Sequence, residues 1–191
     1  VHGVRPNRLY EIDEAGAQPA PERVSIPPRQ PLFGDVSDRL DHVHTEENYD
    51  DMARQGTLYK QLSQPGPGMA WADLDGDGHD DLVIAAGQGG QLGVYRGDGR
   101  GGFTKWEDPA WSEPGIRDQT GLAVLPGAGG SELVVGWSNY EDGLEIGPGA
   151  RIIRFVEGKV AGSTDLPATL SSTGPLALAD LDGGGNFILF V

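Results

Sequence analysis

A short segment of this chain returns at a fixed interval. Gly68-Met69-Ala70-Trp71-Ala72-Asp73-Leu74-Asp75-Gly76 reappears as Gly174-Pro175-Leu176-Ala177-Leu178-Ala179-Asp180-Leu181-Asp182-Gly183, one residue longer before its first Asp. Between them, Gly121-Leu122-Ala123-Val124-Leu125, a turn and Leu133-Val134-Val135-Gly136 follow the same plan without the acidic loop. The leading glycines stand 53 residues apart, from 68 to 121 and from 121 to 174. An insertion at 138–149 in the second repeat is offset by a shorter later part.

A period near 50 residues with about four short strands per repeat is the signature of a propeller blade. Within one unit the strands fall at Gly68–Ala72, Leu82–Ala86, Gln91–Arg96 and Gly102–Trp106, separated by Gly- and Asp-rich turns and joined as an antiparallel meander. Leu82-Val83-Ile84-Ala85-Ala86 lacks polar alternation, as expected of a strand covered on both faces. The expected fold is therefore all-β, a partial β-propeller of four-stranded antiparallel blades. Residues 1–26 read as the end of a preceding blade, with a strand at Arg8–Ile12, and 27–67 as an inter-blade connector or insertion. Residues 68–120 form a blade with an acidic loop, 121–173 a degenerate blade, and 174–191 the start of a further one. Blades bury their apolar faces only against neighbours, so the remaining blades of a longer parent propeller are expected partners. Val43–Arg54 reads as a short helix with Thr45 as its N-cap.

Composition narrows the chemistry. With 14 basic and 29 acidic residues the net charge is −15, which argues against nucleic acid and anionic membrane as partners. The absence of cysteine removes disulfides, thiolate metal sites and Cys nucleophiles together. No run is long and apolar enough for direct membrane insertion, and the start, Val1-His2-Gly3-Val4-Arg5-Pro6, reads as processed or cut.

The strongest local signal is Asp73-Leu74-Asp75-Gly76-Asp77-Gly78-His79-Asp80-Asp81. Aspartates at loop positions 1, 3, 5 and 9, with Gly at 6, gather carboxylates around one point while the backbone turns sharply. Calcium takes six to eight oxygens at about 2.3–2.6 Å in a tolerant geometry, which suits this spacing. Asp73, Asp75, Asp77 and Asp81 supply side-chain oxygens, and His79 at position 7 supplies its backbone carbonyl. Position 12 is Ile84, where an EF-hand carries Glu, and strands flank the loop. Magnesium, which prefers octahedral coordination and keeps its waters, fits less well. The alternative is an acidic turn that binds nothing. Asp180-Leu181-Asp182-Gly183-Gly184-Gly185-Asn186-Phe187-Ile188 repeats the loop with ligands missing, and Pro126–Glu132 lacks the ligand set altogether.

Other constellations carry less. His42, His44, Glu46 and Asp50 offer imidazoles and carboxylates to a transition metal if they lie along one strand face, or else form a solvated loop. Arg96-Gly97-Asp98 spells an adhesion tripeptide but enters a Gly-rich hairpin turn. Trp71 and Trp137 fall on inner strands and read as core, while Trp106 and Trp111 stay open between core and sugar-stacking platform. No nucleophile elbow, phosphate loop or zinc-protease helix occurs.

The segment Gly68–Ile84 followed by Gly93–Phe103 resembles the FG-GAP (VCBS-type) repeat family, the calcium-loop blades of the integrin α-subunit propeller and many bacterial surface proteins. Leu58–Gly68, with His42–Glu46 before it, further resembles the cartilage-acidic-protein-like bacterial branch. The resemblance implies an extracellular, cell-surface or periplasmic propeller, and the first expectation is that it is not an enzyme. Its calcium loops brace the ring, and its loop face binds protein or carbohydrate in adhesion. A rival expectation is the propeller part of a carbohydrate-active, polysaccharide lyase-like enzyme. A third is a purely structural repeat.

Overall fold

The computed structural model describes residues 3–11, 13, 15, 31–64, 66–127, 130–143, 147–167 and 172–190. It divides into two units, Val1–Asp35 and Val36–Val191.

In the first unit the strand expected at Arg8–Ile12 is not formed over its described part, Arg8–Glu11, and Ile12 lies outside the described residues. The backbone N–H of Arg5 donates to the Tyr10 hydroxyl (2.7 Å), and Asn7 takes a left-handed φ of 58°. This local loop replaces the cross-strand partner an extended segment needs. Leu9 is 97% exposed.

The second unit is all-β, built of antiparallel sheets. Strands β1 (Met69–Ala72), β2 (Asp81–Ile84), β3 (Gly93–Gly97) and β4 (Phe103–Lys105) form one four-stranded meander in sequence order. Strands β5 (Gln119–Gly127), β6 (Gly130–Trp137), β7 (Pro148–Val156) and β8 (Lys159–Pro167) form a second. Strands β9 (Ala177–Asp180) and β10 (Phe187–Phe190) pair as a hairpin. A 3-10 turn at Ser37–Arg39 and a helix α1 (Asp51–Arg54) precede the sheets.

First strands of successive sheets lie side by side, β1 against β5 and β5 against β9. The periodic glycines mark these crossings. A Cβ on Gly68 would stand 3.3 Å from the Thr120 carbonyl, and one on Gly121 would stand 3.1 Å from Leu176 N and 3.2 Å from the Gly174 carbonyl. A Cβ at either position would force the neighbouring backbone to give by a few tenths of an ångström. The repeat in sequence is thus a stacking point in space.

The core follows from strand alternation. Val83 and Val94 of the first sheet meet Leu133, Val135, Ile153 and Phe155 of the second, together with Leu74 and Trp111. On the opposite face, Leu82, Ile84 and Tyr95 pack with Leu40 and Phe103. Ala123, Val134 and Ala150 pack with Leu176, Leu178 and Leu189 of the hairpin segment. All four residues of β2 are buried, which accounts for its unbroken apolar run beyond Asp81.

Two expectations need correction. The helix does not start at Thr45. It spans Asp51–Arg54, and Asp50 caps it by accepting the N–H groups of Met52 and Ala53 at 3.0 Å each. Upstream, His42, His44 and Glu46 are half-buried while Asp41, Val43 and Thr45 face out, a period of two that belongs to extended chain. The tryptophans also differ. Trp71 is 56% exposed and meets Phe103 edge-on, because β1 has its one hydrogen-bonded neighbour in β2 and turns Met69 and Trp71 outward. Trp111 is 5% exposed and packs with Trp106 against Phe155, so both belong to the core.

Candidate metal centre

The acidic loop joins β1 to β2, and its ends are closed by the cross-strand pair Ala72–Asp81. Its turn is made by the first aspartate. Asp73 Oδ1 accepts from Gly76 N–H (2.7 Å) and Asp77 N–H (3.2 Å), and Oδ2 accepts from Gly78 N–H (2.9 Å). Gly76 and Gly78 hold φ of 81° and 87°, a region in which a Cβ is strained. The sequence Asp-x-x-Gly-x-Gly therefore folds here because a side-chain acceptor and two flexible residues close successive turns.

Asp81 lies at the base of the loop with no exposed surface. Its Oδ2 accepts from Leu74 N–H and its Oδ1 from Gly97 N–H, each at 3.0 Å. Burial raises its pKa, the two backbone donors oppose that shift, and the charges of Asp75 and Asp77 add to it. The buried carboxylate thus links the loop to β3.

Carboxylate oxygens of Asp73, Asp75 and Asp81 lie within 4.8 Å of one another, so these three can hold a metal ion. Among the described residues no other group of His, Cys, Asp or Glu does so. An all-oxygen donor set suits a hard divalent cation. Asp77 stands outside the trio, with its Oδ1 accepting from His79 N–H (2.8 Å). The His79 ring packs against the Gly99 backbone in the β3–β4 hairpin and is not among the gathered ligands.

Second-sheet residues and one arginine complete the surroundings, and sequence reasoning missed them. Arg96 Nε pairs with Asp75 Oδ2 (3.1 Å), its Nη2 donates to the Gly158 carbonyl (3.3 Å), and its guanidinium lies 3.8 Å above the Trp106 ring. Ser131 Oγ donates to the Leu74 carbonyl (3.2 Å), and Gly158 approaches so closely that a Cβ there would stand 3.1 Å from the Asp75 carbonyl. The loop is therefore fastened to both sheets. The one available signal was Arg96 itself, in the adhesion-like tripeptide.

The other candidates part. His42 Nδ1 lies 2.7 Å from the Tyr95 hydroxyl, and burial, with His44 and Lys105 nearby, lowers its pKa. His44 Nε2 lies 3.2 Å from Glu46 Oε2, while Asp50 is spent on the helix cap. In the degenerate loop Asp180 Oδ2 accepts from Gly185 N–H (2.9 Å) and Asp182 Oδ1 from Gly184 N–H (2.8 Å), the same turn with fewer carboxylates. Gly97 ends β3, and Asp98 accepts from Arg100 and Gly102 N–H at 2.8 Å each, so the tripeptide is strand end plus turn.

No helix among the described residues is long and apolar enough to cross a membrane. Comparison with curated proteins and with solved structures gives no significant match. Residues 73–126, from the first loop aspartate through β4 into β5, match the family model described as FG-GAP-like repeat, and over that stretch the chain is similar to this family.

Proposed function

We propose that this chain is a calcium-braced, non-enzymatic binding module, with its sheets serving as blades of a propeller that works at the cell surface, in the periplasm or outside the cell. The observation that carries the reading is the loop's attachment across the sheet boundary. Asp73, Asp75 and Asp81 gather three carboxylates, while Leu74 enters the shared core and Ser131 and Gly158 of the second sheet touch the loop backbone. An ion there neutralises the buried Asp81 and its neighbours and stiffens the joint between blades. The FG-GAP-like match over the same loop supports calcium as the ion. Placement outside the cytoplasm and a protein or glycan ligand are in keeping with that family.

Thermal melts of the chain in calcium and in chelator test the brace. At a calcium concentration about 100 times its Kd, linkage adds about 2.7 kcal/mol, a rise of about 5–11 °C for a chain of this size. Asp75→Asn should remove most of that rise. Superimposable melts with and without calcium would overturn the reading.

A further inference from the structure

We propose that Arg96 is a tethered counter-cation of the acidic loop, which holds Asp75 in place when calcium is absent and lowers the loop's affinity for the ion by charge repulsion. The inference rests on the calcium reading above and adds what regulates that site.

Strand β3 brings the arginine there. Val94 and Arg96 are two residues apart, so both side chains leave β3 on the face turned to the second sheet, where Val94 enters the core. One residue on, Gly97 N–H donates to Asp81 Oδ1 at 3.0 Å. The end of β3 therefore touches two of the three gathered carboxylates, Asp81 through a neutral donor and Asp75 through a full positive charge. Among the described residues Arg96 is the one Lys or Arg paired with Asp73, Asp75 or Asp81.

The guanidinium is held on three sides. Nε pairs with Asp75 Oδ2 at 3.1 Å, Nη2 donates to the Gly158 carbonyl at 3.3 Å, and Cζ lies 3.8 Å from the centre of the Trp106 ring. Stacked on an indole and bonded to the backbone of the other sheet, it cannot swing into solvent without giving up both contacts. The Asp75 side chain is 12% exposed, and its other oxygen accepts from Asp77 N–H at 3.2 Å. Both oxygens of that carboxylate thus have partners before an ion arrives.

Charge and distance give the consequence. An ion at an ordinary calcium–oxygen distance from Asp75 stands within roughly 8 Å of the guanidinium, about the Debye length at physiological salt, so salt screens their repulsion only in part. The arginine side chain is 43% exposed, which calls for a water-like dielectric. A double charge facing a single one at that range then weakens binding by roughly three- to tenfold. Calcium sites of modules outside the cell work at about 10⁻⁴–10⁻³ M. A cation built into the ligand shell keeps an acidic loop in that weak range, and keeps it folded without metal.

The test is calorimetric titration of calcium into the chelator-stripped 191-residue chain and three variants, in about 0.15 M and about 1 M salt. Arg96→Gln and Arg96→Met remove the charge, and methionine keeps an apolar stem beside Trp106, whereas Arg96→Lys keeps the charge. Melts in chelator identify which variants fold. At the lower salt both neutral variants should bind calcium roughly three- to tenfold more tightly than the unaltered chain, with Arg96→Lys within about twofold of it. Near 1 M salt, where the Debye length is about 3 Å, the gap should fall below about twofold. An arginine that only packs predicts the opposite sign, because losing its contacts loosens the loop and weakens binding. Equal or weaker calcium binding by a folded neutral variant, or Arg96→Lys binding as tightly as the neutral ones, overturns the inference and leaves the calcium reading standing. Binding by the neutral variants and not by the unaltered chain supports the inference and overturns the reading that calcium braces the natural loop. Binding by none of the four overturns both.

Discussion

Replacing Asp81 by alanine separates two roles that the same carboxylate plays. In the absence of metal its oxygens accept from Leu74 N–H and Gly97 N–H, both buried. Alanine leaves two donors without acceptors, each costing about 1–3 kcal/mol. Against this, the substitution relieves a buried charge whose pKa is raised first by burial and further by Asp75 and Asp77. A net loss of about 3 kcal/mol results, which for a chain of this length lowers the melting temperature by roughly 6–12 °C. Asp81→Asn keeps one acceptor and the volume, and should lose about half as much. The measurement is a circular dichroism melt in excess chelator, where no ion contributes. If Asp81→Ala melts within about 2 °C of the parent there, the aspartate matters as a ligand alone and the hydrogen-bond reasoning is wrong.

Burial, reinforced by Asp118, Glu46, Asp51 and Glu47, pushes Glu141 up to about 7. A folded-state pKa above the unfolded value means the folded chain holds a proton the unfolded chain releases. Stability is therefore full below about pH 4.5 and declines by about 1–2 kcal/mol, after solvent screening, as pH rises through 7; Glu141→Gln should flatten that decline in denaturant titrations. Gly121→Val drives a side chain toward Leu176 and the Gly174 carbonyl, and should cost about 2–3 kcal/mol by urea unfolding. Arg96→Gln breaks the ion pair with Asp75 and the contact with Trp106, and should lower stability by about 1–2 kcal/mol in chelator.

Local chemistry was legible in the sequence, and assembly was not. The Asp73–Asp81 loop and the strands on either side of it follow from turn residues and apolar runs, and both stand where the spacing puts them. His42, His44 and Glu46 share one face of extended chain, where the sequence predicts a helix from Thr45. The sequence did not say what that face meets, and the set left open between a metal site and a hydrogen-bonded loop separates into a Tyr95 contact, a His–Glu pair and a helix cap. The tryptophans show the same limit. A period of two divides residues between faces, but which face a neighbouring sheet covers depends on packing over a distance, and Trp71 falls on the open side. Ser131 and Gly158 reach the acidic loop across the sheet boundary, and Arg96 bridges Asp75 to Gly158, a placement no single segment encodes.

The crossings at Gly68 and Gly121 have an implication for how such a chain tolerates change. What each module must deliver to its neighbour is one residue without a side chain at one point, and the path taken between deliveries is unconstrained by that requirement. Outer hairpins and connections can lengthen, shorten or acquire new loops, as the stretch from 138 to 149 has done, without disturbing the axis on which the modules meet. Surface novelty and architectural constancy are thereby assigned to different residues.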